Sequence, residues 1–248
     1  MGKPTLLPAR TFNWTKEHLP SISRYFEYRP AEQLLGDALD NFGDEIALAT
    51  GFGTSGVVLM HMVAQLRPQT TVFYLQTDLL FPETMALRDR LSERLGIQFT
   101  EVHSGLSLEA QVEQHGPDLW AHNPDLCCHL RKVVPLRRYL ADKKAWITGL
   151  RRDQSAARAK TPLVAWDAAT SLVKLNPLAG WTGKDIWRYL YINDLPYNEL
   201  HDRGYPSVGC QPCTRAVARG EDERAGRWAG WEKTECGIHL QPLQAEAA

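Results

Sequence analysis

Cysteine is scarce in this chain, with five residues in 248. Charge of one sign is not in excess either. The formal net charge is -1, which excludes broad electrostatic attachment to nucleic acid or to an anionic membrane. No apolar run approaches the length of a bilayer span. The opening stretch MGKPTLLPARTFNWTKEHLP has no apolar h-region, and Leu6 stands where a myristoylation signal wants Ser or Thr. The expected compartment is the cytoplasm, where thiols stay reduced and disulfides are not expected. Internal repeats are absent, and low complexity is confined to a short QAEAA tail. Neither a nucleic-acid nor a membrane partner is expected, and homo-oligomerisation is left open.

What remains is an ordinary globular composition, 44% apolar and 23% charged, with enough chain for a full hydrophobic core. Short apolar runs alternate with helical patterns. EIALAT (45–50), TVFYLQT (71–77), IQFTEVH (97–103), KAWITGL (144–150) and LVKLNPL (172–178) read as strands. VVLMHMVAQL (57–66) has helical spacing, PETMALRDRLSERLG (82–96) opens on proline and closes on glycine, and TGKDIWRYLYIND (182–194) opens on a capping-box pattern. Strands alternating with helices argue for an α/β fold with a doubly wound, mostly parallel sheet. Residues 1–30 read as an N-terminal extension, 31–230 as the sheet domain, and 231–248 as a mobile C-terminal segment.

In such sheets ligands bind beyond the carboxyl ends of the strands. The loops to inspect are therefore 51–56, 77–82 and 149–160. GFGTSG (51–56) would aim backbone N–H groups at an anion from a helix N-terminus, although it lacks the lysine and spacing of the ATP-hydrolysing P-loop, and a plain tight turn is an equal reading. GLRRDQSAAR (149–158) places Arg151, Arg152 and Arg158 on one strand-end loop. The planar guanidinium suits phosphate and sulfate because it can donate two hydrogen bonds to one oxyanion.

Four of the cysteines form two tight groups, Cys127–Cys128 and Cys210/Cys213, and Cys236 stands alone. Four plus one is the arithmetic of a metal site and a separate thiol. An iron–sulfur cluster and a zinc ion both fit that count, and spacing does not separate them. Lys132, four residues after Cys128, would share a helical face with it. Cys236 lies in TECGIHL, polar and close to the C-terminus, and reads as an exposed, reactive thiol. Ahead of it come Arg215, Arg219, Arg224, Arg227 and Lys233, nearly matched by acids. They form either a solvated mixed-charge face or a cationic setting that would favour the Cys236 thiolate.

Taken together, CC, GLRRDQS..R, GWTGKDIWRYL, GCQPCTRAV, GEDERAGRW and ECGIHL resemble the assimilatory adenylylsulfate (APS) and phosphoadenylylsulfate (PAPS) reductases, over about residues 45–240. The cluster cysteines point to the APS branch. The resemblance implies an adenine-nucleotide alpha-hydrolase-like, Rossmann-like fold. It implies reduction of adenylyl sulfate to sulfite and AMP in sulfate assimilation. Cys236 would attack the sulfonyl sulfur, and thioredoxin, a separate protein, would resolve the resulting S-sulfocysteine. It implies a [4Fe–4S] cluster on Cys127, Cys128, Cys210 and Cys213, linked to substrate by Lys132. Arg224 and Arg227 would bind the phosphosulfate. Arg151, Arg152 and Arg158 match the family's arginine loop, with Arg151 and Arg152 also on the nucleotide pocket. His239 matches the substrate-site histidine three residues after the nucleophile, its role left open. Gly51, Phe52, Gly53, Thr54, Ser55, Gln76, Thr77, Asp78, Leu79, Gly149 and Leu150 would line the nucleotide pocket. Ser55 replaces a glutamine of the PAPS-type pattern, and QSAAR lacks the proline-glycine insertion of many APS enzymes, so PAPS or dual use is the alternative. More distant are a tRNA thiolase, which should carry an SGGxDS-type loop, and a non-enzymatic nucleotide or redox sensor.

Overall fold

Strand β1 (Ile46–Ala49) sits mid-sheet because its residues are buried on both faces, as central parallel strands require. The computed structural model describes residues 11–239. The remaining strands are β2 (Thr71–Gln76), β3 (Phe99–His103), β4 (Ala145–Ile147), β5 (Val164–Asp167) and β6 (Leu172–Leu175), and the sheet order is β3-β2-β1-β4-β6-β5. All pairings are parallel except β5 with β6. The five strands expected from the sequence are present, and β5 is the one that was not foreseen.

Side chains alternate faces along each strand. Ile46, Leu48, Val72, Tyr74, Ala145, Ile147, Val173 and Leu175 join the larger core. Ala47, Phe73, Trp146 and Leu172 join a smaller core on the opposite face. The larger core is covered by α1 (Leu19–Phe26), α2 (Ala31–Phe42), α3 (Thr54–Leu66), α4 (Pro82–Leu95) and, late in the chain, a helix over Gly183–Ile192. Helix α1 contributes Leu19, Ile22 and Phe26 to that core and packs on β5. The expected extension over 1–30 therefore shows no break from the sheet domain where it is described, and residues 1–10 lie outside the described residues.

Between β3 and β4 run α5 (Leu108–His115), α6 (Leu119–His122) and α7 (Pro124–Cys128). A π-helical turn (His129–Val133) then leads into α8 (Val134–Leu140), whose Leu136 and Leu140 fill the smaller core. Pro135 has no N–H to donate, and it directly follows the π turn, where the spacing has already widened so that the Val134 N–H donates to the His129 carbonyl. Helix α9 (Gly183–Ile192) is capped by Thr182 and Asp185 as expected.

The chain order reverses between β1 and β4, which opens a crevice beyond their carboxyl ends.

Candidate active site

Two strand-end residues adopt the left-handed region, Phe52 (φ 57°) after β1 and Asp78 (φ 58°) after β2. Neither is glycine, so both positions store strain at the mouth of the crevice. The Thr50 hydroxyl accepts from the Phe52 N–H at 3.0 Å and fixes the first turn. Gly149, after β4, is closely approached: a Cβ there would lie 3.1 Å from Ser55 Cβ and 3.3 Å from the Gly56 nitrogen, so a larger residue would press on α3. The β4 loop therefore lies directly against the N-terminus of α3.

These turns bound a cavity of about 740 Å³. Gly51, Gly53, Thr54, Ser55, Thr77, Gly149 and Leu150 line its strand-end wall, as expected. Lys132, Arg151, Arg158, Arg224 and Arg227 line it too, as do Cys210, Cys236 and His239. Five expected residues are not on the wall. Phe52 packs edge-on against Tyr74 and Phe99 in the core. Gln76 accepts from the Asp78 N–H at 3.0 Å and donates to Glu101. The Asp78 carboxylate pairs with Arg131 at 2.9 Å. The Leu79 carbonyl accepts from the Gln211 N–H at 2.7 Å, tying the strand-end wall to the second cysteine pair. Arg152 turns away to Glu27, just past the C-terminus of α1, and to the Thr161 carbonyl.

The cationic wall comes from loops. Arg151 is buried, donating to the Ser55 hydroxyl at 2.7 Å and to Asp153 at 2.8 Å. Arg227 and Arg224 flank Trp228, at 4.6 and 5.9 Å from its ring, and both keep a buried Nε–H without a partner. Unpaired buried donors on two neighbouring arginines are left available to an acceptor that the described residues do not supply.

Cys127 and Cys128 end α7, and Cys210 and Cys213 bracket a 3₁₀ turn in which the Cys213 N–H donates to the Cys210 carbonyl at 3.1 Å. Cys127, Cys128 and Cys210 are buried. Burial pushes the Cys127 thiol up to about 11, and the facing Cys210 and Cys213 push it the same way. Burial and Cys210 likewise raise Cys213. Four thiols from two segments thus meet at the edge of the cavity. Among the described residues no group of three or more His, Cys, Asp or Glu is drawn tightly enough around one point to hold a single metal ion. Burial works against the Lys132 ammonium, but Cys210, Cys236 and Cys128 outweigh it and hold the proton on.

Cys236 is buried rather than exposed as the sequence led us to expect. It packs with Cys128 and Trp228, and Ile238 and Cys213 close over them. A hydrogen bond from Cys128 pulls its pKa well down against the effect of burial, helped by Lys132, the Ile238 N–H and Arg227. A Cys128 that bound metal as a thiolate could not donate, and the task would pass to the other three. His239 stacks on Trp146 with ring centroids 6.1 Å apart. Burial and the neighbouring Lys174 and Arg158 hold it neutral. The Lys174 ammonium, which can only donate, lies 3.4 Å from His239 Nδ1, so Nε2 carries the proton. The expected mobility of 231–248 concerns partly residues 240–248, which lie outside the described residues; 231–239 is folded against the cavity.

Sequence reasoning passed over Arg131, Lys174 and Glu235. Arg131 is buried and donates to Gln111, the Thr77 carbonyl and Asp78. Lys174 left a signal, a lone charge inside the apolar strand LVKLNPL. Glu235 left only its place beside Cys236.

The phosphoadenosine phosphosulfate reductase domain matches residues 45–216. An adenosine 5'-phosphosulfate reductase of Salinibacter ruber is 52% identical, over 95% of this chain and 94% of that relative. A phosphoadenosine 5'-phosphosulfate reductase of Gloeobacter violaceus is 46% identical, over 91% of this chain and 93% of that one. The crystal structure of a phosphoadenylyl-sulfate reductase from Candida auris, in complex with phosphate, superposes with a TM-score of 0.72 at 27% identity, covering 84% of this chain and 100% of its own. The chain belongs to the phosphoadenosine phosphosulfate reductase family of oxidoreductases.

Proposed function

We propose that this protein reduces adenylyl sulfate to sulfite and AMP, with Cys236 as the nucleophile. The observation that carries the reading is the placement of Cys236 on a nucleotide-sized cavity between Lys132 and Arg227, with its thiol pKa pulled down. The strand-end N–H groups around Gly51–Ser55 and the 149–151 loop would seat the adenosine and its phosphate. The free Nε–H groups of Arg224 and Arg227 would take the sulfonyl oxygens, where negative charge gathers during transfer.

The Cys236 thiolate attacks the sulfonyl sulfur. The bond from sulfur to the bridging oxygen breaks, and AMP departs with that electron pair. An S-sulfocysteine remains. A thioredoxin thiolate then attacks Cys236 Sγ, and sulfite leaves with the pair from the sulfur–sulfur bond. The second thioredoxin thiol resolves the mixed disulfide, so oxidation of the dithiol supplies both electrons and Cys236 is regenerated. Segment 231–239 must swing out for that second step, since Cys236 is buried as it stands.

Cys127, Cys128, Cys210 and Cys213 would hold a [4Fe–4S] cluster, which asks for one thiolate per iron around a cube rather than four ligands on one ion. Once bound it would supply a fixed charge that, with Lys132, organises the anionic end of the site without carrying electrons. The reducing cytoplasm is where such a thiol chemistry would run. No described helix is long and apolar enough to cross a membrane.

Sulfite release measured with thioredoxin tests the reading. The wild type is expected to turn over adenylyl sulfate in preference to its 3'-phosphorylated form. Cys236→Ser is expected to keep iron and nucleotide binding and to release no sulfite. Normal turnover by that variant would contradict the mechanism.

A further inference from the structure

Arg158 and Arg224 both line the cavity, yet both also donate to one carboxylate of the protein itself. Arg158 Nε–H and Nη2–H donate to the two oxygens of Glu235 at 2.7 and 2.5 Å, and its Nη1–H donates to Gln154 at 2.5 Å. Arg224 Nη2 donates to the Thr234 carbonyl at 2.9 Å and to Glu235 at 3.3 Å. The Ser155 hydroxyl lies 3.4 Å from the same carboxylate. Glu235 is only 7% exposed, and its two arginine partners 11% and 13%. A charge buried so deeply needs partners that pair and hydrogen-bond with it, and removing one member leaves the others uncompensated.

We propose that Glu235 is the positioning residue of the transfer step, clamped by Arg158 and Arg224 so that the next residue, Cys236, is presented to the substrate. The geometry gives Arg158 a different role from the one the family resemblance implies. Its bidentate edge faces the tail, while Arg224 bridges tail and cavity, one edge on Glu235 and its buried Nε–H still open. Consecutive Cα atoms are about 3.8 Å apart, so fixing Glu235 leaves Cys236 little freedom. On its other side the turn closes through the His239 N–H to the Cys236 carbonyl at 3.1 Å, with Ile238 against the smaller core and His239 on Trp146. Cys236 is thus held between an ionic clamp and an apolar anchor. The clamp is held by ion pairs, whereas the anchor is held by apolar and ring contacts with one ammonium, Lys174, beside a neutral His239, so the clamp is the half that a change of bound anion can loosen.

The proposal rests on Cys236 being the nucleophile, and the experiment keeps the two apart. The rate of Cys236 alkylation by iodoacetamide is read by peptide mass on the anaerobic, iron-loaded protein, with no turnover required. Glu235→Ala and Arg158→Ala should each raise that rate about tenfold or more, the double variant should add little, and Glu235→Gln should fall between. In turnover, Glu235→Ala should lower kcat with KM held. Binding of adenylyl sulfate to Glu235→Ala in a Cys236→Ser background should stay within about threefold, because the clamp holds the tail rather than the ligand. An unchanged alkylation rate overturns the proposal. So does a larger change in affinity: a gain would mean that Glu235 merely occupies the substrate's anion site, and a loss that it belongs to that site. If the wild type releases no sulfite, the functional reading fails, while the alkylation rates still decide the clamp.

Discussion

The two walls of the cavity are built by different means. The strand-end wall is mostly backbone: Gly51–Ser55 and the 149–151 loop are fixed by parallel pairing of β1 with β4 and by a close approach at Gly149 that a Cβ would crowd. The facing wall, from Lys132 and residues 208–239, is side chain. It gathers Arg224, Arg227 and Lys233 around Trp228 and sets Lys132 beside Cys128, Cys210 and Cys236, with Arg158 joining from the 149–158 loop. Like charges crowd there, and neighbouring Arg158 adds to burial in lowering Arg224 to about 10. The first wall is complete once the sheet folds. On the proposed function the second holds charges and thiols that an anion and a cluster would complete, so its order would be linked to what it binds.

The sharpest break of that contrast is Cys213→Ser. It should abolish iron binding and sulfite release together while far-UV circular dichroism and nucleotide binding persist, because the strand-end wall does not depend on it. Full activity without iron would show the cysteine assignment to be wrong. The converse change is Gly149→Val. Pressing a side chain onto Ser55 and the Gly56 nitrogen should destabilise the fold by about 1–3 kcal/mol and weaken nucleotide binding, with iron content unchanged. Denaturant melts and iron assays on the same sample separate the two outcomes.

A smaller effect belongs to Lys174, beneath the tail anchor. Burial lowers its pKa from 10.5 to about 8. Between those values the unfolded chain holds the proton and the folded chain does not, so stability rises with pH across that window. Below pH 8 the penalty is fully present. Lys174→Met should therefore stabilise the protein by about 1–2 kcal/mol at pH 7, once the lost contacts with His239 and Trp146 are deducted, and the gain should shrink by pH 10. Thermal melts at the two pH values check the sign. A variant less stable at pH 7 would mean that the contacts outweigh the burial.

The strand-end wall was legible in the sequence because its signals are local. Short apolar runs buried on both faces announce parallel strands, and GFGTSG after β1 announces the turn. Strand β5 escaped because VAWD is four residues long and has no helix between it and β6. The second wall was legible as a list of residues and not as an arrangement. Nothing local shows that Arg152 would turn to Glu27 while Arg158, six residues on, would meet Glu235 across 77 positions. Polarity and nearness to the terminus argued for an exposed Cys236. Its burial under Ile238 and beside Trp228 is a tertiary contact that neither segment encodes alone.

The central claim is that Cys236 carries the transferred group. It is tested most directly by the intact mass of the anaerobic, iron-loaded protein after incubation with adenylyl sulfate and no reductant. The account predicts the gain of one sulfonate, mapped to Cys236 and removed by thioredoxin with release of sulfite. An unmodified Cys236 in a protein that binds the nucleotide, or an adduct on another residue, would contradict it.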